Sequence, residues 1–222
     1  MASSSSADPS TGPDRTGSFG EHREPTPVDR FGVWLSSVAV RRNADFTDAR
    51  IGDFGCGFDA SFTRTQLEVV RHATLVDLSI APDLAAHPKI TAIEGSIPDV
   101  LPTVETASLD ITMCLSVLEH LWDPEAALRD LRRVTRPGGL VLLNVPSWAG
   151  KRALELSAFK LHLSPAEEMD DHKWYFDPRD LWPMLVRVGF KPSQIRCHRH
   201  KFGLNTFAAC RVTDLPGDDA HG

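Results

Sequence analysis

Between Arg50 and Val145 short apolar runs alternate with segments of helical spacing, the pattern of a parallel sheet whose strands are joined by crossover helices. Strands are predicted at Ile51–Phe54, Ala73–Asp77, Ile90–Ile93, Leu109–Cys114 and Leu140–Val145. The strongest helix signal follows Asp123: the aspartate caps, Pro124 takes the first turn, and Ala127, Leu128, Leu131 and Val134 recur on one face. Arg132, Arg133 and Arg136 gather at its far end, where the helix dipole favours cations, and are expected to be solvated. Pro137-Gly138-Gly139 then stops the helix and turns the chain into the fifth strand. Asp177-Pro178 opens a second helix of this kind, with Leu181, Trp182, Leu185 and Val188 inward, Gly189 at its end and Pro183 expected to bend it. Ahead of the first strand, Phe31, Trp34, Leu35 and Val38 have the spacing of one helical stripe, expected to cover an edge of the core or, alternatively, to help line a ligand pocket, with Asp29 as its cap. Two last strands, Ser193–His200 and Asn205–Val212, are joined by so short a connection that they must be antiparallel.

The flanks have another character. Almost nothing from Met1 to Thr26 is apolar, so residues 1–26 are expected to be a disordered leader and 214–222 a frayed tail around a domain at 27–213. A chain of 222 residues with 41% hydrophobic and 24% charged residues fits one ordinary packed domain. No apolar run approaches the roughly 20 residues of a bilayer-spanning helix, so no membrane insertion is expected. A net charge of −6 gives no basic face for phosphates, which excludes long nucleic acid as a partner. Cys56, Cys114, Cys197 and Cys210 form no zinc-like pair, and residues 1–20 lack the apolar core of a secretory signal. A cytoplasmic location with reduced thiols is expected.

Chemistry concentrates in Asp53-Phe54-Gly55-Cys56-Gly57-Phe58-Asp59-Ala60, where a strand ends and a helix begins. Glycines there let backbone N–H groups approach a ligand, and Gly55-x-Gly57-x-x-Ala60 also satisfies the dinucleotide pattern. Asp77, about twenty residues on, ends the second strand, the place from which an acid grips both hydroxyls of a ribose. Either reading calls for an adenosine-containing cofactor. Asp53 decides between them: a carboxylate ahead of the glycines repels a pyrophosphate but suits the ammonium of an amino-acid moiety. The only tyrosine, Tyr175, is followed four residues later by Arg179, so the Tyr-x-x-x-Lys pair of short-chain dehydrogenases is missing.

From about Arg50 to Val212 the sequence resembles the class I S-adenosylmethionine-dependent methyltransferases. Asp53-x-Gly55-Cys56-Gly57 matches the family's first motif, Asp77 its ribose-binding acid, and Gly95-Ser96-Ile97 the stretch bordering adenine. Ser116-Val117-Leu118-Glu119-His120 matches the segment after the fourth strand, and Arg136-Pro137-Gly138-Gly139 the turn into the fifth. The resemblance implies an α/β fold, a Rossmann-like, doubly wound seven-stranded sheet with its last strand antiparallel, and S-adenosylmethionine held by Asp53, Gly55, Cys56, Gly57, Asp77, Leu78, Ser96, Ile97 and Leu115. Two positions depart from the family: Asp59 stands where many members have glycine, and Ser96 where many have an acid. Asp59 is expected to cap the following helix.

Transfer from a sulfonium needs a base only when the acceptor arrives protonated. His120, after the fourth strand, and His172, shortly before the Asp177 helix, are the candidate bases, with loop-ordering as the alternative role. Quinone-type O-methyltransferases hold a divalent metal through Glu-x-x-Glu-His. Here Ser116 replaces the first acid, so no metal is expected. The aromatic-rich insertion at about 147–176, with Leu154, Leu156, Ala158, Phe159, Leu161 and Leu163, is read as an acceptor lid or, alternatively, as a helix that caps the core or forms a homodimer. The basic run Arg196 to Lys201 is read as an exposed strand and turn. Together these features predict methyl transfer to a small organic acceptor at oxygen. N-methylation and a non-catalytic cofactor-binding subunit of a partner enzyme are the alternatives.

Overall fold

The computed structural model describes residues 17–21, 26–153 and 172–214. Its strands are β1 (Arg50–Phe54), β2 (His72–Asp77), β3 (Ile90–Glu94), β4 (Leu109–Leu115), β5 (Thr135–Pro146), β6 (Ile195–His200) and β7 (Asn205–Arg211). Around them lie α1 (Pro27–Asn43), α2 (Ser61–Arg64), α3 (Pro82–Ala85), α4 (Ile97–Val100), α5 (Pro124–Val134) and α6 (Pro178–Arg187). The strands form one seven-stranded sheet in the order β3-β2-β1-β4-β5-β7-β6. Strands β1 to β5 are parallel, and β7 runs antiparallel to both its neighbours. The chain winds outward from β1 to β3 and then returns to β4, so the order reverses between β1 and β4, where open α/β sheets bind ligands.

Alternation along the strands feeds two cores, as expected of a sheet covered on both faces. Ile51, Leu75, Met113, Leu142 and Phe207 pack with Val40 of α1, Phe46 and Phe62. Phe54, Val76, Cys114, Leu143 and Val145 pack with Leu128 and Leu131 of α5 and Leu181 and Leu185 of α6.

Several expectations give way to tertiary context. Thr26, rather than Asp29, caps α1: its Oγ1 accepts from Asp29 N at 3.2 Å, while the Asp29 carboxylate accepts from Thr26 N at 2.8 Å. That is a reciprocal capping box with Asp29 in its third position. The large apolar residues of α1 are not its inner face. Phe31 and Trp34 are 51% and 57% exposed, and the helix buries Ser36, Ala39 and Val40 instead. In α6 Trp182 likewise stays outside while Met184 takes the inward place, and the helix continues through Pro183 to Arg187. The Pro137-Gly138-Gly139 turn lies inside β5, whose pairing with β4 starts at Thr135 and is interrupted by a bulge.

Of the arginine cluster only Arg136 is exposed. Arg132 is 4% exposed and donates to Asp214 Oδ1 at 3.1 Å, and Lys191 Nζ lies 2.6 Å from the other oxygen of that carboxylate. Arg133 donates to the carbonyls of Leu101 and Val104, and Arg136 pairs with Asp110. Guanidinium groups with several donors suit this knitting of loop carbonyls. Asp214 thus belongs to the packed domain, and the rest of the expected tail, 215–222, lies outside the described residues. Among the described residues no helix is long and apolar enough to cross a membrane.

Candidate functional site

The carboxyl ends of the strands and the turn before β7 open onto one cavity of about 1090 Å³. Asp53, Gly55, Cys56, Gly57, Asp77, Leu78, Ser96, Ile97 and Leu115 all line it, as do His120 and His172. The residues singled out in the sequence are therefore brought to one place.

At the β1 end, Gly55 and Gly57 have φ of +82° and +73°. A Cβ on Gly55 would fall 2.1 Å from Val117 Cγ2, so backbone shape and packing both demand glycine there. The loop is not an N–H cradle, however. The N–H groups of Gly55 and Cys56 donate to the Val76 carbonyl, and Gly57 N donates to Asp77 Oδ2 at 2.7 Å. The following helix has only four residues and thus little dipole to offer an anion. Asp59 does not cap it: the cap is Ala60, and the Asp59 carboxylate lies outside, 3.9 Å from Arg64.

Two carboxylates dominate this half of the cavity. Asp53 is 4% exposed and accepts from Thr63 Oγ1 at 2.7 Å. Burial pushes its carboxyl up to about 6 against the pull of the Thr63 bond, and the Asp77 charge adds to the rise. Asp77 accepts from Gly57 N and Leu78 N, and also from Ser18 Oγ at 2.5 Å. Ser18, itself buried, further receives Ser79 N at 2.7 Å, and the Phe19 carbonyl accepts from Phe58 N. Residues 17–21 of the expected leader are thus laid against Asp77, a contact that no apolar signal in the leader foretold. Burial, with Asp53 and Asp77 close by, pushes the Cys56 thiol far above its ordinary range, which makes it wall rather than nucleophile. Ser96 Oγ donates to Asp99 Oδ2 at 2.5 Å.

Beyond β4 the backbone is strained: Ser116 has φ +59°, and the chain then enters a short turn at Leu118–His120. The far end of the insertion docks on this turn. The Glu119 carbonyl accepts from Lys173 N and Trp174 N, Lys173 Nζ donates to the His120 carbonyl at 2.8 Å, and Trp174 Nε1 donates to the Leu121 carbonyl. This brings the His120 and His172 rings to a centroid separation of 4.8 Å, with the Tyr175 hydroxyl 3.2 Å from His172 Nδ1. Glu119, His120 and His172 place one ligand atom each within 4.8 Å of one another. The Ser116–His120 segment alone offers two of these ligand atoms, and the third arrives from the insertion. Of the expected lid, 147–153 and 172–176 are described, and residues 154–171 lie outside the described residues.

Gly32, Val33, Ser36 and Ser37 of α1 line the cavity, so of the two roles open to this helix it walls the site. Its small residues were the available signal. Lys201, read as exposed, also lines the cavity. Burial pulls its ammonium down to about 8, with the Glu119 carboxylate acting the other way.

Residues 52–143 match the family described as Methyltransferase domain. The matched segment runs from within β1 through β2 to β4 and α5 and takes in most of β5. The ubiquinone biosynthesis O-methyltransferase of Xanthomonas oryzae pv. oryzae (strain PXO99A) is 30% identical over 120 residues, covering 50% of this chain and 48% of the relative. The enzyme of the same name from Neisseria meningitidis serogroup A / serotype 4A is 25% identical over 182 residues, covering 78% and 76%. The chain thus spans about half the length of the Xanthomonas relative. An S-adenosylmethionine-dependent methyltransferase from Mesorhizobium loti shares the fold at a TM-score of 0.57 and 17% identity, covering 78% of this chain and 96% of that one. The domain implies S-adenosylmethionine as cofactor, and the donor set fits it: a buried carboxylate for its ammonium and a strand-end carboxylate for its ribose.

Proposed function

We propose that this chain transfers the methyl group of S-adenosylmethionine to an oxygen of a small organic acceptor, with His120 or His172 taking the acceptor's proton. The observation that carries this reading is the meeting of the two imidazoles in the same cavity as Asp53 and Asp77. Asp53 receives the cofactor's ammonium, and Asp77 receives its ribose hydroxyls once Ser18 has withdrawn. When bound, the cofactor supplies a sulfonium methyl, whose S–C bond breaks as the O–C bond forms. Alignment and exclusion of water by α1 and the insertion's docked ends favour that displacement. An alcohol or phenol brings a proton that must leave, and a neutral imidazole accepts it near neutral pH. The names of the Xanthomonas and Neisseria relatives support oxygen as the acceptor atom.

Methyl transfer to a panel of phenols and catechols, measured with His120→Ala and His172→Ala, tests the base. Removing it is expected to lower turnover on the order of 10²-fold or more, abolish the acidic limb of the rate profile and leave cofactor affinity nearly unchanged. Near-normal turnover of both variants at every pH refutes it and favours transfer by alignment alone, to nitrogen or a preformed anion.

A second reading rests on the convergence of Glu119, His120 and His172. One carboxylate with two imidazoles suits a borderline divalent ion such as zinc, cobalt or nickel better than magnesium or calcium. Such an ion, when bound, would polarise the acceptor oxygen. Turnover that is lost on chelation and restored by one of these ions favours this reading, and turnover indifferent to chelation favours the free base.

A further inference from the structure

Lys201 faces the cavity with no task in the reading above. Among the described residues its ammonium makes no hydrogen bond and no ion pair within 4 Å, and the charge that acts on it is the Glu119 carboxylate. The other charges on the cavity wall are engaged. Lys173 donates to the His120 carbonyl and sits 5.0 Å above the Trp122 ring. Asp29 is held by Thr26, Asp123 by the N–H of Ala126, and Asp130 by Arg133.

The backbone is strained to hold Lys201 there. Lys201, Phe202 and Gly203 have φ of +48°, +57° and +89°, a left-handed run that side-chain-bearing residues resist. Ser147 clamps it, its Oγ donating to the Gly203 carbonyl at 2.6 Å and its N–H to the Leu204 carbonyl at 2.9 Å. Across from the turn, Gly32 of α1 leaves room: a Cβ there would stand 3.8 Å from Lys201 Nζ. The turn leads into β7, beyond β5, whereas Asp53 and Asp77 belong to β1 and β2. The cation therefore reaches the cavity from the side away from the cofactor's carboxylates. An ammonium at the wall of a cavity that Val33, Leu121 and Trp122 also line is stabilised by an anion brought in by a ligand.

We propose that Lys201 binds an acidic group of the methyl acceptor, so that the substrate is a hydroxylated carboxylate. This rests on the proposed methyl transfer in the same cavity and adds the class of acceptor. The test uses the whole chain loaded with S-adenosylhomocysteine and titrated with 3,4-dihydroxybenzoate and with its neutral counterpart, 3,4-dihydroxybenzamide. Wild type is expected to prefer the carboxylate by about tenfold or more, the worth of a charge-assisted hydrogen bond. Lys201→Met should erase the preference while leaving affinity for the amide and for S-adenosylhomocysteine within about twofold, and Lys201→Arg should retain part of it. A preference that survives Lys201→Met, equal binding of both probes by wild type, or binding of neither overturns the inference. If Lys201→Met does not fold, the wild-type comparison and Lys201→Arg still decide. Failure to load S-adenosylhomocysteine at all would instead count against the methyltransferase reading itself.

Discussion

Asp53→Asn is expected to stabilise the cofactor-free protein while weakening its hold on the cofactor. The carboxyl is almost wholly buried, and its pKa stands at about 6 against an ordinary 3.8. A rise of about two units means that keeping the group ionised at pH 7.5 costs about 3 kcal/mol of native stability. The sign follows from proton binding. Because the folded state holds this proton more tightly than the unfolded one, stability falls as pH rises from about 4 to 6 and is level above. Asparagine still accepts from Thr63 Oγ1 and carries no charge to desolvate. The variant's advantage in urea unfolding should therefore be about 3 kcal/mol at pH 7.5, about half that at pH 5, and vanish near pH 4. Calorimetric titration with S-adenosylhomocysteine should show the opposite effect, a loss of about 10- to 100-fold at pH 7.5 as the ammonium loses its counter-charge. Wild-type affinity should itself fall about tenfold from pH 7 to pH 5 as Asp53 takes up its proton. A stability difference independent of pH, or unchanged affinity in the variant, would show that Asp53 is neither a strained charge nor the ammonium's partner.

Three other outcomes follow from the same geometry. Asp77→Ala should weaken S-adenosylhomocysteine by about 2 kcal/mol in calorimetry, the worth of two charge-assisted bonds to ribose, and unchanged affinity removes Asp77 from the site. Ser18→Ala should tighten the same ligand a few-fold, because Ser18 Oγ occupies the carboxylate that ribose must reach; weaker binding would mean that Ser18 helps to hold the cofactor. Asp214→Ala should lower unfolding free energy by about 2 kcal/mol by leaving Arg132 buried without its carboxylate, whereas Asp83→Ala, which breaks an exposed pair with Arg64, should leave it nearly unchanged.

What was legible in the sequence was whatever is dictated locally. Gly55 and Gly57 announce a loop that needs left-handed backbone, Asp77 ends a strand, and Asp123-Pro124 opens a helix, so the cofactor half of the cavity and the order of elements could be read directly. The acceptor half depends on pairings that local sequence does not encode. His172 meets His120 because the insertion's far end donates to the Glu119 carbonyl, and Lys201 points inward because Ser147 grips the turn beside it. Arg132 misled for the same reason. A guanidinium at a helix end looks solvated until Asp214, 82 residues on, folds back to bury it. In α1 the apolar stripe was real but outward, because the face with small side chains was needed to leave room for the cavity.

The layout of charge along the sheet edge bears on why the chemistry belongs here. On β1 and β2 stand Asp53 and Asp77, and past β5 stands Lys201. Burial disfavours the charge on Asp53 and on Lys201, and each becomes favourable when a ligand supplies the opposite charge. On the proposed reading the cofactor's ammonium would compensate Asp53, and an acidic group on the acceptor would compensate Lys201. The sulfonium would then have one counter-charge left to find, the oxygen formed as a histidine takes the acceptor's proton. Between low-dielectric walls that attraction would draw the oxygen into line with the methyl, and because both charges disappear together as it crosses, the rate gain would come from alignment and exclusion of water and not from stabilising the charged pair. Had Lys201 been left without an anion of its own, it would instead stabilise the acceptor's oxyanion before transfer and blunt its attack. An ammonium paired with the acceptor's acidic group is kept from doing so, and its loss should appear in acceptor binding and selectivity and not in the grip on the cofactor.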